Sequence, residues 1–137
     1  LKPLVYRGAL ELVDRHREGA ERTYLVSAAL EEVVAQLSIE LGFDGSVGST
    51  CGVADGVYTG RPEFLCYGAA KGDALRELAA RERLDLARST AYSDSHTDLP
   101  FLEAVGRPVA VNPDRELRRA AGERGWAIVR FRARAFS

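Results

Sequence analysis

No run of about 18 apolar residues occurs anywhere in the 137-residue chain, so no segment is built to cross a bilayer as a helix. Cysteine is scarce: Cys51 and Cys66 are the only two, and their spacing matches no metal-binding pattern. They are expected to be free thiols in a reducing, cytoplasmic compartment rather than a disulfide. The first residues carry no secretory pattern. An excess of either charge is also missing. With 19 Lys and Arg against 20 Asp and Glu, the net charge is -1 and the pI near 6.2. That removes the usual reason to expect nucleic acid or an anionic membrane as a partner. The basic residues are scattered, and the short Arg-rich stretch from Arg130 to Arg134 reads as a solvated edge. No internal repeat and no low-complexity linker interrupts the chain. What remains is a length suited to one domain, residues 1–137, with a real core.

Helical and extended patterns alternate along that length. Pro3 suits a first helical turn, with Val5, Ala9, Leu12 and Val13 as an apolar stripe and Gly19 as the stop. Thr23 to Val26 is a short apolar run of the kind found in buried parallel strands. A second helix carries Leu30, Val33, Val34, Leu37 and Leu41 on one face and stops at Gly42. Gly45 to Ser49 is a weak strand. Gly52 to Thr59 reads as a small hairpin turning at Asp55-Gly56 in a type I′ turn. A third helix runs from Lys71 to about Arg83 with Leu75, Leu78 and Ala79 inward. Thr90 to Ser93 is a strand, followed by a helix with Leu99, Leu102 and Val105 at helical spacing that stops at Gly106. Pro108 to Val111 is another strand, Asn112-Pro113 a turn, and Asp114 caps a helix to about Arg124. Trp126 to Phe131 closes the series. Such alternation implies crossover connections and a mostly parallel sheet with helices on both faces.

Three places on this scaffold carry residues suited to chemistry. Asp94 and Asp98 lie four residues apart where a strand ends and a helix begins. In open α/β sheets, ligands bind at the carboxyl ends of strands. Two carboxylates there suit a hard cation such as Mg2+, which takes oxygen ligands. The plain alternative is a helix N-cap at Asp98 and an ordinary turn acid at Asp94. Ser27 follows the first strand and stands just before a helix, where a hydroxyl and free N–H groups can hold an anion; taken alone, such a serine is more often a plain N-cap. Lys71 opens its helix, an end that disfavours a cation. Either it neutralises a phosphoryl group or a carboxylate, or it is a solvated surface lysine.

In their order along the chain these pieces resemble the motifs of the haloacid dehalogenase-like hydrolase superfamily, most closely the branch containing phosphoserine phosphatase. Leu25-Val-Ser-Ala-Ala29 resembles the family's second motif, Tyr67-Gly-Ala-Ala-Lys-Gly-Asp-Ala-Leu75 the third, and Tyr92-Ser-Asp-Ser-His-Thr-Asp-Leu-Pro100 the fourth. The stretch from Ala104 to Asp114 is also similar to that branch, so the resemblance spans about Leu1 to Phe131. It implies a Rossmann-like sheet and a phosphatase acting on a small phosphorylated substrate. It gives Ser27 and Lys71 the phosphoryl oxygens, makes Asp94 a ligand of Mg2+, and has Asp98 support the metal site.

One part of the pattern is missing. Members carry an Asp-x-Asp-x-Thr/Val motif whose first aspartate attacks phosphorus and whose second is a general acid and base. None of the eight aspartates here is followed by another two residues on. The second motif also departs, with Ala29 and Leu30 where relatives often have Ser or Thr and then Pro. The expectation is the C-terminal part of such an enzyme, without the first strand and the cap inserted after it. In the family's sheet that first strand lies between the Thr23–Val26 and Thr90–Ser93 strands. Its absence implies two open edges, with three outcomes: the two strands close up against each other, a second copy fills the gap in a homo-oligomer, or the missing N-terminal segment pairs there as a separate chain, filling by another chain being the expectation. Two other classes fit less of the chain: a non-catalytic phosphate- or metal-binding module or complementing subunit, and a response-regulator-like domain. The last would need acids where Ser27 ends the first strand.

Overall fold

The computed structural model describes residues 15–16, 18–54 and 57–131. The expected first stripe, Val5 to Val13, and the Asp55-Gly56 turn lie outside them. The strands are β1 (Tyr24–Leu30), β2 (Gly45–Ala54), β3 (Val57–Phe64), β4 (Thr90–Ser93), β5 (Arg107–Val111) and β6 (Ala127–Val129). The helices are α1 (Glu31–Leu41), α2 (Ala69–Glu82), α3 (Leu99–Glu103) and α4 (Arg115–Arg124). Short 3-10 turns at Leu86–Arg88 and His96–Asp98 flank β4.

The parallel α/β reading holds, but the strands divide between two three-stranded sheets, β1-β2-β3 and β4-β5-β6. The second is wholly parallel, with Thr90 opposite Arg107 and Val109 opposite Ala127. In the first, β1 and β2 run parallel and β3 returns antiparallel, Ala54 facing Val57. The expected weak strand and the hairpin after it are therefore one ten-residue strand and its partner. Glycines at 45, 48 and 52 weaken the local strand signal, and pairing on both sides of β2 supplies what propensity lacks.

Leu75, Leu78, Ala91, Phe101, Leu102, Ala110, Leu117 and Ala121 form the core, so α2 turns in the face its spacing predicts. Helix α1 does not. Val34 is buried, but Val33 is 55% exposed and Leu30 40% exposed. The helix rests on a narrow strip, Val34 and Ser38, one turn apart, and Ser38 Oγ donates to the Gly45 carbonyl at 3.1 Å. Its start lies so close to β2 that a Cβ on Gly48 would stand 2.7 Å from the Glu31 Cα.

Between the sheets lies a groove of about 510 Å³. Tyr24, Leu25 and Val26 of β1 and Thr90, Ala91 and Tyr92 of β4 line it, with Leu75 and Phe101 beneath. Just before β1, Arg22 donates to the carbonyls of Glu82 and Arg83 at the end of α2, at 2.6 and 3.4 Å. β1 and β4 are edge strands of their sheets, and among the described residues no backbone bond joins them.

Candidate active site

The site is assembled where β4 ends. Ser93 is the last residue of β4 and points inward, in step with Ala91. The chain then turns through exposed Asp94 into the 3-10 turn, whose start is capped by Ser95 Oγ accepting from the Thr97 N–H at 3.2 Å. That turn carries Asp98 inward to 9% exposure, and Pro100 sets the first turn of α3. Ser93 Oγ donates to Asp98 Oδ2 at 2.6 Å and accepts from the Ser95 N–H at 3.2 Å.

Lys71 reaches the same carboxylate from α2. Its Nζ is 3.0 Å from Asp98 Oδ2, and the two side chains are only 12% and 13% exposed. The ammonium also lies 5.1 Å from the centre of the Phe101 ring. Gly72 makes this approach feasible, since a Cβ there would meet the Pro100 carbonyl oxygen at 3.0 Å. Gly68 caps the start of the helix with a φ of 58° and ψ of -131°, which suit glycine alone. Lys71 is thus neither a solvated lysine nor free; one carboxylate and one ring aim it.

Ser27 belongs to β1 rather than following it. Regular pairing stops at Val26, opposite Val47, and resumes at Leu30, opposite Ser49, so Ser27 falls in the irregular stretch between them. Its Oγ accepts from the Ala29 N–H at 3.1 Å, which leaves its own proton to donate. It is no N-cap: that position of α1 is Leu30, without a side-chain cap bond. Cys66 is fully buried; its thiol has the Ser27 backbone as a hydrogen-bond partner and feels the charges of Lys71 and Asp98. Burial pushes its pKa up, the Lys71 charge opposes this, and the Asp98 charge adds to it.

Asp94 is held by its backbone: its carbonyl accepts from the Asp114 N–H at 2.9 Å. Its carboxylate has no partner among the described residues, which suits a cation ligand. Asp98 spends Oδ2 on Lys71 and Ser93. Among the described residues no cluster of three or more His, Cys, Asp or Glu side chains forms a ready cage. The structure therefore joins Lys71 and Ser93 to Asp98 and leaves Asp94 open at the strand end. Sequence reasoning missed Ser93 and Cys66. The alternation of β4 could have placed Ser93 inward; nothing in the spacing of Cys66 marks its neighbours.

Residues 1–103 match the family model described as haloacid dehalogenase-like hydrolase. Over 132 residues the chain is 47% identical to the inhibition of morphological differentiation protein of Streptomyces azureus, covering 96% of this chain and 48% of that one. It is 43% identical over 130 residues to a phosphoserine phosphatase of Mycobacterium tuberculosis, covering 93% of this chain and 42% of that one. A solved structure from Bordetella pertussis Tohama I, of a protein of unknown function, matches with a TM-score of 0.80 at 34% identity, covering 88% of this chain and 56% of its own. The chain spans about half the length of the curated relatives it matches.

Proposed function

Because the chain belongs to the haloacid dehalogenase-like hydrolase family, we propose that it is the phosphate- and cation-holding part of a cytoplasmic phosphomonoester hydrolase, whose attacking carboxylate lies outside these 137 residues. The observation that carries this reading is the convergence of Lys71 and Ser93 on the Asp98 carboxylate at the strand end, beside the open carboxylate of Asp94. Lys71 offsets the charge that spreads over the phosphoryl oxygens, and its pairing with Asp98 fixes where that charge is offered. Ser27 donates its free proton to a non-bridging oxygen. Asp94 is the ligand for Mg2+, and Asp98 supports the metal site. When bound, Mg2+ supplies charge neutralisation at the phosphoryl group. The attacking aspartate displaces the substrate's alcohol as the ester P–O bond breaks, giving an aspartyl-phosphate that water hydrolyses to inorganic phosphate and the free carboxylate. The substrate class is a small phosphomonoester, with phosphoserine the first to try because it is in the name of a relative.

The groove between β1 and β4 favours a second form of the same reading: a complementing subunit whose missing strand arrives on another chain. One assay tests both. The chain alone is expected to give no Mg2+-dependent release of phosphate from phosphoserine, since losing a covalent nucleophile removes most of an enzyme's rate. A longer protein that adds an Asp-x-Asp-x-Thr segment, or the chain mixed with such a segment, is expected to turn over and to lose that activity on Asp94→Asn. Turnover by the 137 residues alone, abolished by the same substitution, would overturn the division of labour.

A further inference from the structure

Asp114 was expected to cap α4, and it does: Oδ1 accepts from the Leu117 N–H at 2.8 Å. A cap needs no more than that, and Ser, Asn and Asp serve about equally well. Besides the helix bond that its carbonyl accepts from the Arg118 N–H, Asp114 makes three further bonds, all to the turn that carries Asp94. Its own N–H donates to the Asp94 carbonyl at 2.9 Å. Its Oδ2 accepts from the His96 N–H at 2.9 Å and faces His96 Nδ1 at 2.9 Å. With the Ser95 N–H bound to Ser93 Oγ, polar groups of three consecutive residues, Asp94, Ser95 and His96, are tied down. The clamp stands on a firm base. Asn112, at a φ of 41°, exchanges two 2.8 Å bonds with the backbone of Phe131, and its N–H donates to the Val129 carbonyl at 2.9 Å.

We infer that Asp114 is a positioning residue for Asp94: from the turn after β5 it fixes the Asp94–His96 backbone, and so sets the direction in which the Asp94 carboxylate meets its cation. The inference rests on the cation-binding reading of Asp94. It explains why a carboxylate stands where a hydroxyl would cap as well. Only a carboxylate has a second oxygen, carrying charge, that can receive both His96 groups.

Asp114→Ser separates clamp from cap, because serine can still accept from the Leu117 N–H but cannot reach His96 as well. The readouts are amide hydrogen exchange by NMR and Mn2+ affinity from paramagnetic broadening around Asp94. In Asp114→Ser, exchange at His96 is expected to rise by about tenfold, the weight of one hydrogen bond to a charged group, and Mn2+ affinity to fall several-fold. Exchange at Leu117 should stay near that of the unsubstituted chain, while Asp114→Ala should raise it too. Unchanged His96 exchange or unchanged Mn2+ affinity in Asp114→Ser would overturn the clamp. No Mn2+ broadening around Asp94 in the unsubstituted chain would overturn the cation reading itself, and the inference with it.

Discussion

Asp94 and Asp98 are the same side chain four positions apart, in opposite surroundings: one open to solvent, the other 9% exposed and bonded to Lys71 and Ser93. Their substitutions should separate accordingly. Asp98→Ala leaves the Lys71 ammonium largely buried and unpaired and is expected to cost about 3 kcal/mol of stability. Asp94→Ala should stay within about 0.5 kcal/mol. Urea denaturation of the two variants checks this, and equal losses would mean that the exposed carboxylate also carries structure. Cys66 gives a pH signature. Its folded pKa is raised above the ordinary 9.0 by burial. Above that pH the unfolded chain releases the thiol proton while the folded chain keeps it, so the unfolded state binds fewer protons and stability falls as pH rises. Well below pH 9 both states keep the proton and the thiol contributes no slope. Denaturation at pH 8, 9 and 10 should show the fall, shallower in Cys66→Ala. At this scale, Lys71 and Asp98 were legible because motif spacing marks them. Ser93 and Cys66 were not, because contact across elements gives them their place and a single sequence does not record contact.

Helices and strands were legible where periodicity and a stop signal agree. The Thr90–Ser93 strand is found as expected, and α4 lies between the Asp114 cap and Gly125, whose φ is 69°. The inward face of α2 followed from Leu75, Leu78 and Ala79. Helix α1 misled because five apolar residues share its expected face while β1 and β2 offer it only a strip to rest on; the burial of Ser38 cannot be read from apolar spacing. Two glycines show how far stop signals depend on surroundings. Gly106 follows α3 and donates to the Leu86 carbonyl at 2.9 Å; a Cβ there would run into the carbonyl of Ala87, its carbon only 2.6 Å away. Gly106→Ala is expected to cost about 1–3 kcal/mol, as overpacking does. Gly122 sits within α4 with nothing within 4 Å of an added Cβ. Gly122→Ala should gain about 0.5–1 kcal/mol from helix propensity. Melting curves of the pair test both signs, and a loss on Gly122→Ala would show that α4 makes a contact at that face.

At the scale of the molecule, the open edge was legible only through resemblance: no local pattern in β1 or β4 says that a strand belongs between them. The structure keeps them apart, in separate sheets with a groove of about 510 Å³ between. The sheets have not closed on each other, which would require one of them to move by about one strand spacing, near 4.8 Å. Unpaired N–H and C=O groups along two facing edges are a template for another chain. Left buried and unpaired, each group would cost roughly 1–3 kcal/mol, and a domain stable by about 5–15 kcal/mol cannot carry several. Water can meet those groups while the groove stays open, but half-buried Tyr24, Leu25 and Val26 then keep apolar surface in contact with solvent. A strand that fills the groove removes both costs together, so the chain is expected to associate, a second copy lending an extended segment when nothing else does. Light scattering or sedimentation from low to high micromolar concentration should show mass rising with concentration. Excess of an extended apolar peptide that carries a carboxylate at the end nearest Lys71 should return the chain to a one-to-one complex. A monomer across that range, with sharp amide spectra and no peptide bound, would mean that solvent satisfies both edges and that the groove takes no strand.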